Sequence, residues 1–401
     1  MTRFFMTEEF FHNPYPFYEE MRRVSPLYYM SSGKYPGWYV TGYQEVLDIL
    51  KDVRFHNRTP LPSTTSKYEG LKNSQNHMML FKNPPDHARL RSLVGQAFTP
   101  KEMAKYRSFI EETVHQLLHD SKKTGTLDIV TDFAFPLASL LIAKILGIPD
   151  KDRHAFREWA IILLQSIDLT RTRYALAEAN DTVIHLSVYF KELIQERKQH
   201  PQDDLISLLS LGDSTEKSLT EEEIIATCIL LLIAGHETTV NLISNSILAL
   251  LNHPQQLILM KENPSRVDTA VEEFLRFESP TQMTARVASE DIEIDQHAIR
   301  KGEQIYLLLG AANRDPKKFA NPNQLDITRS PNPHLAFGYG HHFCLGSNLA
   351  RLEAQMAIPA LLQVLPYLQL NSSTVSWRKL VGFRSLKNLP LNWSVHQLIN
   401  V

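Results

Sequence analysis

The segment from Thr220 to about Leu251 limits the possible folds more than any other part of the chain. Thr220 and Glu223 have the spacing of a capping box, Pro254 lies just past the far end, and no proline interrupts the interior. At 1.5 Å per residue such a helix runs on the order of 45 Å, enough to cross a whole domain. Ile224, Ile225, Ile229, Leu230, Leu231, Leu232 and Ile233 leave it no polar face, so other elements must wrap it. Ala234-Gly235-His236-Glu237-Thr238-Thr239 interrupts this pattern. Gly235 costs about 1 kcal/mol relative to alanine in a helix interior, and Glu237 puts a charge at mid-core. A local conflict inside an otherwise consistent helix marks a functional site. The pair His236-Glu237 is not a zinc-protease motif, because Val240 stands where a second histidine is required. The stretch reads instead as a kinked helix that turns a hydroxyl and a carboxylate toward a cavity.

A second stretch carries chemistry of another kind. Phe337-Gly338-Tyr339-Gly340-His341-His342-Phe343-Cys344-Leu345-Gly346 holds three glycines, which mark irregular backbone, and it feeds a good helix former from Ser347 onward. Free N–H groups and the positive dipole end at such a helix start stabilise an anion, which predicts a Cys344 thiolate of depressed pKa and strong donation to a metal. A dinucleotide loop is excluded because Phe343 occupies the position of the third glycine. His341, His342 and Cys344 are too cramped for tetrahedral zinc. A cysteine hydrolase with a distant histidine lacks a local signature but stays open on residues alone. Thiolate ligation of haem explains most of the stretch.

Only two cysteines, Cys228 and Cys344, are present. They rule out a disulfide framework, point to a reducing compartment, and cannot build a four-thiolate iron–sulfur cluster. The net charge of −2 offers no reason to invoke nucleic acid or an anionic membrane. No secretory signal opens the chain, and the longest apolar run, from Ile224 to Ala234, is too short for a bilayer. The reading is a soluble cytoplasmic protein without a membrane anchor. No linker or low-complexity run divides it, so residues 1–401 read as a single domain, mainly α with a minor β region.

In chain order, a helix is expected from Pro14 to Arg23, a strand at Trp38–Thr41 and a helix from Tyr43 to Val53. Residues 57–77 read as a long irregular connection. Asp86 is a candidate N-cap that places His87 and Arg91 on one helical face, a basic pair able to bind a carboxylate or phosphate. The segment 101–202 is helical throughout. Glu273 and Arg276 form an i,i+3 pair, worth a few tenths of a kcal/mol on a surface. Residues 281–286 read as a loop, 291–294 and 304–309 as strands, and the last 45 residues or so as one helix to about Leu365 with short β pieces.

Taken together these motifs resemble the cytochrome P-450 family of haem-thiolate monooxygenases, over essentially the whole chain. Phe337, Gly340, Cys344 and Gly346 match its haem-binding loop, and Ala234 to Thr239 its oxygen-activation motif. Glu273 and Arg276 match its buried Glu–Arg pair, with Arg329 as third member. The resemblance implies haem b (iron protoporphyrin IX) between the long distal helix and the proximal Cys loop, with Cys344 as iron ligand. It implies that His87, Arg91, Arg286 and His342 hold the propionates, that Gly235 lets backbone approach the oxygen site, and that Thr238 and Glu237 serve oxygen activation and proton relay. With no flavin or iron–sulfur module in the chain, electrons would come from a ferredoxin or flavodoxin with its reductase.

Segments such as Lys34 to Val40, Asn76 to Leu80 and Glu278 to Arg286 resemble the bacterial P-450s of biotin biosynthesis, which cleave fatty acyl chains, free or on acyl carrier protein. The alternatives are a hydroxylase of a polyketide, terpenoid or steroid, and, in another class, a haem-thiolate sensor or binding protein.

Overall fold

The computed structural model describes residues 6–57, 61, 67–121, 126–211, 218–364, 368–371 and 375–392. The central helix spans Glu221–Asn252, and both capping-box bonds are made: the Glu223 N–H donates to the Thr220 hydroxyl at 3.2 Å and the Thr220 N–H to the Glu223 carboxylate at 3.0 Å. Helices Phe135–Leu146, Arg153–Ile167, Arg173–Gln199 and Ser347–Val364 pack around it. Its apolar circumference is thereby removed from water, as for Ile229 and Leu232, each contributing about 2 kcal/mol. No break in helical structure occurs at Gly235; the expected kink is absent as an interruption. The Thr238 hydroxyl instead donates back to the Ala234 carbonyl at 2.6 Å, a bond that bends a helix without opening it.

The minor β region is a five-stranded sheet in the spatial order Leu27–Met30, Gly37–Val40, Gln304–Leu307, Thr284–Ala288, Phe55–His56. Gly37–Val40 and Gln304–Leu307 run parallel, and the other pairs are antiparallel. A hairpin of Ile292–Ile294 with His297–Ile299 and a three-stranded sheet built on Pro390–Asn392 complete it.

Several sequence expectations need correction. Residues 284–286 open a strand, because their backbone groups pair with Ile305 to Leu307. Residues 57–77 are not wholly irregular: Glu69–His77 is helical, and 58–60 and 62–66 lie outside the described residues. Asp86 is the first helical residue and makes no capping bond; Pro85 holds the cap position. The helical run from 101 is interrupted by the strand Thr126–Asp128, whose partner is the late segment Pro390–Asn392. Ile129–Leu146 and Glu221–Asn252 are long and apolar enough to cross a membrane, but each is 67% buried within the fold.

Candidate active site

The loop of residues 337–346 is held by its own backbone. The Cys344 N–H donates to the Phe337 carbonyl at 2.9 Å, and the Phe343 N–H to Gly340 at 3.0 Å. Gly338 and Gly340 sit at φ of 69° and 71°, a region closed to most side chains. At Gly340 a Cβ would also lie 2.6 Å from the Leu50 carbonyl oxygen, so glycine is required there twice over. Gly346, by contrast, faces open space, where nothing in the protein would meet a Cβ. The Cys344 thiol is not acidified by the chain alone, contrary to expectation. Burial pushes it up, opposed by the Gly346 backbone N–H and the charges of Arg91 and Arg351. Desolvation of the anion outweighs the helix start, and a bound cation would reverse the balance.

Beside this loop is a group of basic side chains, two arginines and two histidines, without an acid among their described partners. His87 is buried on helix Asp86–Gly95, and its ring stands 4.0 Å from that of His342. Arg286 is buried on its strand, its guanidinium bonded only to the Thr284 hydroxyl and Ala285 carbonyl. Among the described residues neither Arg91, Arg286, His87 nor His342 pairs with a carboxylate, and the His87 Nε2 is buried without a partner. Burial pushes His87 down to about 4 and Arg286 down to about 10. His342 falls to about 3, from burial first and then from His87, Arg286 and Arg91. Such an uncompensated cluster fits a ligand carrying carboxylates.

Midway along its length, where it is mostly buried, the central helix leaves Leu231, Ala234, Gly235 and Thr238 accessible, a stripe at helical spacing. Gly235 also has a packing role: a Cβ there would meet Ile142 at 2.2 Å, so the glycine lets helix Phe135–Leu146 approach. The Ser385 hydroxyl donates to a carboxylate oxygen of Glu237, from which the Arg378 Nε stands 3.8 Å. Glu237 also lines a cavity of about 520 Å³ walled by Phe11, Ile161 and Leu164. An open stripe, a thiol loop and a carboxylate-seeking cluster fit a flat, dianionic, thiolate-ligated haem.

Glu273, Arg276 and Arg329 do come together. The Arg276 guanidinium donates to both Glu273 oxygens at 2.7 and 2.8 Å, both side chains are fully buried, and Arg329 adds a bond at 3.1 Å. The surface estimate of a few tenths of a kcal/mol therefore does not apply. Sequence reasoning missed a parallel network: Arg351 donates bidentately to Glu272, and the His334 Nε2 lies 3.0 Å from the same carboxylate. Burial opposes ionisation of Glu272, but those two partners prevail and hold it at about 2. Arg351 also lies 4.6 Å over the Phe337 ring, tying helix Val267–Phe277 to the thiol loop. The available signal was Arg351 falling about one turn into the helix that the thiol loop feeds.

Comparison with known proteins agrees with this geometry. The cytochrome P-450 family pattern matches residues 4–263 and 265–369. The biotin biosynthesis cytochrome P-450 of Bacillus subtilis (strain 168) is 59% identical over 387 residues, 96% of this chain and 98% of that protein. The polyketide biosynthesis cytochrome P-450 PksS of the same organism is 39% identical, over 96% and 97% of the two chains. Among solved structures, that of P-450 BioI in complex with hexadec-9Z-enoic acid ligated acyl carrier protein aligns with a TM-score of 0.94 at 59% identity, covering 96% of this chain and 100% of that one. This chain belongs to the cytochrome P-450 family of haem-thiolate monooxygenases.

Proposed function

We propose that the protein is an acyl-chain monooxygenase that forms a biotin precursor by oxidising long-chain fatty acids or carrier-bound acyl chains. The observation carrying this reading is 59% identity, end to end, to a biotin-biosynthesis enzyme. In it Cys344 ligates the iron, Phe337, Gly340 and Gly346 shape the loop around the sulfur, and His87, Arg91, Arg286 and His342 hold the propionates. The haem, when bound, supplies oxygen activation using two external electrons, for which the family depends on a separate redox partner. Thr238 offers a hydroxyl over the open stripe. Glu237, held by Ser385, moves protons between solvent and that hydroxyl. The apolar helix walls keep bulk water out. Residues 1–401 act as one catalytic domain in the cytoplasm, with a ferredoxin or flavodoxin as donor and acyl carrier protein as the partner that delivers the chain.

A mid-chain cleavage requires the chain to bend so that inner carbons, not the terminus, face the reacting centre. The test is a Soret titration with long-chain fatty acids, followed by product analysis with a reconstituted electron-transfer pair. Spectral binding and shortened diacid products are expected. No shift with any acyl compound, together with a shift on a macrolide or steroid, would overturn the acyl assignment.

A further inference from the structure

The cavity that ends on Glu237 has an uneven charge distribution. Lys34, Arg171, Arg378, Lys379 and Lys387 line it, and Glu237 is the one acid among its lining residues. Its walls are otherwise largely apolar, and its volume of about 520 Å³ suits a small-molecule ligand. Arg378 is the informative member. Its backbone N–H donates to the Ser385 carbonyl at 2.8 Å, and neighbouring Trp377 bridges to Leu386, which fixes the residue on a paired strand segment. Among the described residues its Nε is nevertheless buried with no hydrogen-bond partner. The nearest carboxylate, Glu237, is 3.8 Å away, beyond bonding distance, and the oxygen facing Arg378 already accepts from Ser385. An arginine whose backbone is fixed at the cavity wall, in only a loose ion pair with Glu237 and with a donor unused, is arranged to receive a two-oxygen anion.

We propose that Arg378, supported by Lys387, forms an anion subsite that holds the acidic end of an amphiphilic acyl ligand. This rests on the acyl reading above and refines it. The shared chemistry is an oxyanion with two acceptor oxygens, which either a fatty acid carboxylate or the phosphodiester of a carrier arm provides. Glu237 at the same wall rejects a second negative charge, so the ligand enters with its apolar end first.

The experiment is calorimetric titration of the full-length, haem-loaded protein, which does not depend on turnover. The probes are palmitate against methyl palmitate, and the methyl phosphodiester of S-palmitoyl phosphopantetheine against S-palmitoyl pantetheine. The wild type is expected to prefer the anionic member of at least one pair by about tenfold or more. Arg378→Gln should remove most of that preference, Arg378→Lys should keep part of it, and neither should move the neutral member by more than about twofold. The pair that responds identifies the source of the anion. Lys387→Gln, at an exposed position, should cost anionic ligands alone a few-fold, and it keeps the test open if Arg378→Gln fails to fold. Equal affinity for both members of each pair, or equal losses for neutral and anionic ligands, would overturn the subsite and leave the acyl reading standing. If no acyl compound binds at all, both fall.

Discussion

Cys344 carries the chemistry, but its chain alone leaves it protonated: burial raises the thiol, and two arginines and a backbone N–H only moderate that. Haem-loaded Cys344→Ser should therefore fold yet lose the red-shifted Soret band of the reduced carbon-monoxide complex that thiolate ligation produces. At Thr238 the hydroxyl is already committed to the Ala234 carbonyl, so its oxygen lone pairs remain free to accept while its proton is engaged. Thr238→Ala should lower the product formed per electron pair consumed by about tenfold or more, with the missing electrons recovered as peroxide. Coupled turnover in that variant would count against the role of the hydroxyl. Both residues were legible in sequence because each breaks a local pattern. Arg378 and Ser385 were not, since nothing nearby in sequence shows that a segment more than a hundred residues downstream would come to rest on Glu237.

Among the elements, the central helix and the helix behind the thiol loop each store a consequence. Gly235 was legible as an exception, but its reason was not, because the crowding atom belongs to Ile142 on another helix. Gly235→Ala gains about 1 kcal/mol of helix propensity and loses more to overpacking against that side chain. Its thermal midpoint should fall, and Ile142→Val, which removes only the nearer of the two crowding carbons, should restore part of the loss. On helix Ser347–Val364, Glu353 is buried with one carboxylate oxygen unpartnered, and burial pushes its carboxyl up to about 8. The folded state then holds a proton that the unfolded chain has already released. That stabilisation is complete below the ordinary carboxyl range and is lost as pH rises through about 8, by about 1.4 kcal/mol per pH unit in between. Denaturant midpoints of Glu353→Gln should lack the wild type's decline towards pH 8 and exceed the wild type at alkaline pH. Long apolar helices announced themselves by period and length. Short strands rich in aromatic or alternating apolar residues, such as Gly37–Val40 and Ile292–Ile294, were legible too, whereas Thr284–Ala288 was not, because its partner decides it.

At the scale of the whole molecule, the Glu273–Arg276–Arg329 cluster joins helix Val267–Phe277 to the coil that leads into the thiol loop. Arg276 also donates to the carbonyls of Asn313, Pro322 and Gln324. Removing it leaves the buried Glu273 carboxylate with Arg329 as its remaining charged partner and takes the donor from three carbonyls. Arg276→Ala should cost about 3–5 kcal/mol and yield protein that retains little haem, and Arg276→Lys should rescue it poorly because an ammonium cannot span that fork. Urea unfolding with absorbance of retained haem would measure both. The five-stranded sheet imposes a different kind of constraint. Val40 finds its parallel partner only at Leu307, so roughly 270 residues must leave the ribosome between the two. At about 5–20 residues per second the nascent chain carries an unpaired strand edge, and a half-built cofactor site, for tens of seconds. Cys344 emerges later still. Until Leu307 is made, Gly37–Val40 has an unpaired edge on that side, and cofactor capture has to wait for Cys344, about 300 residues after the first strands, to be synthesised.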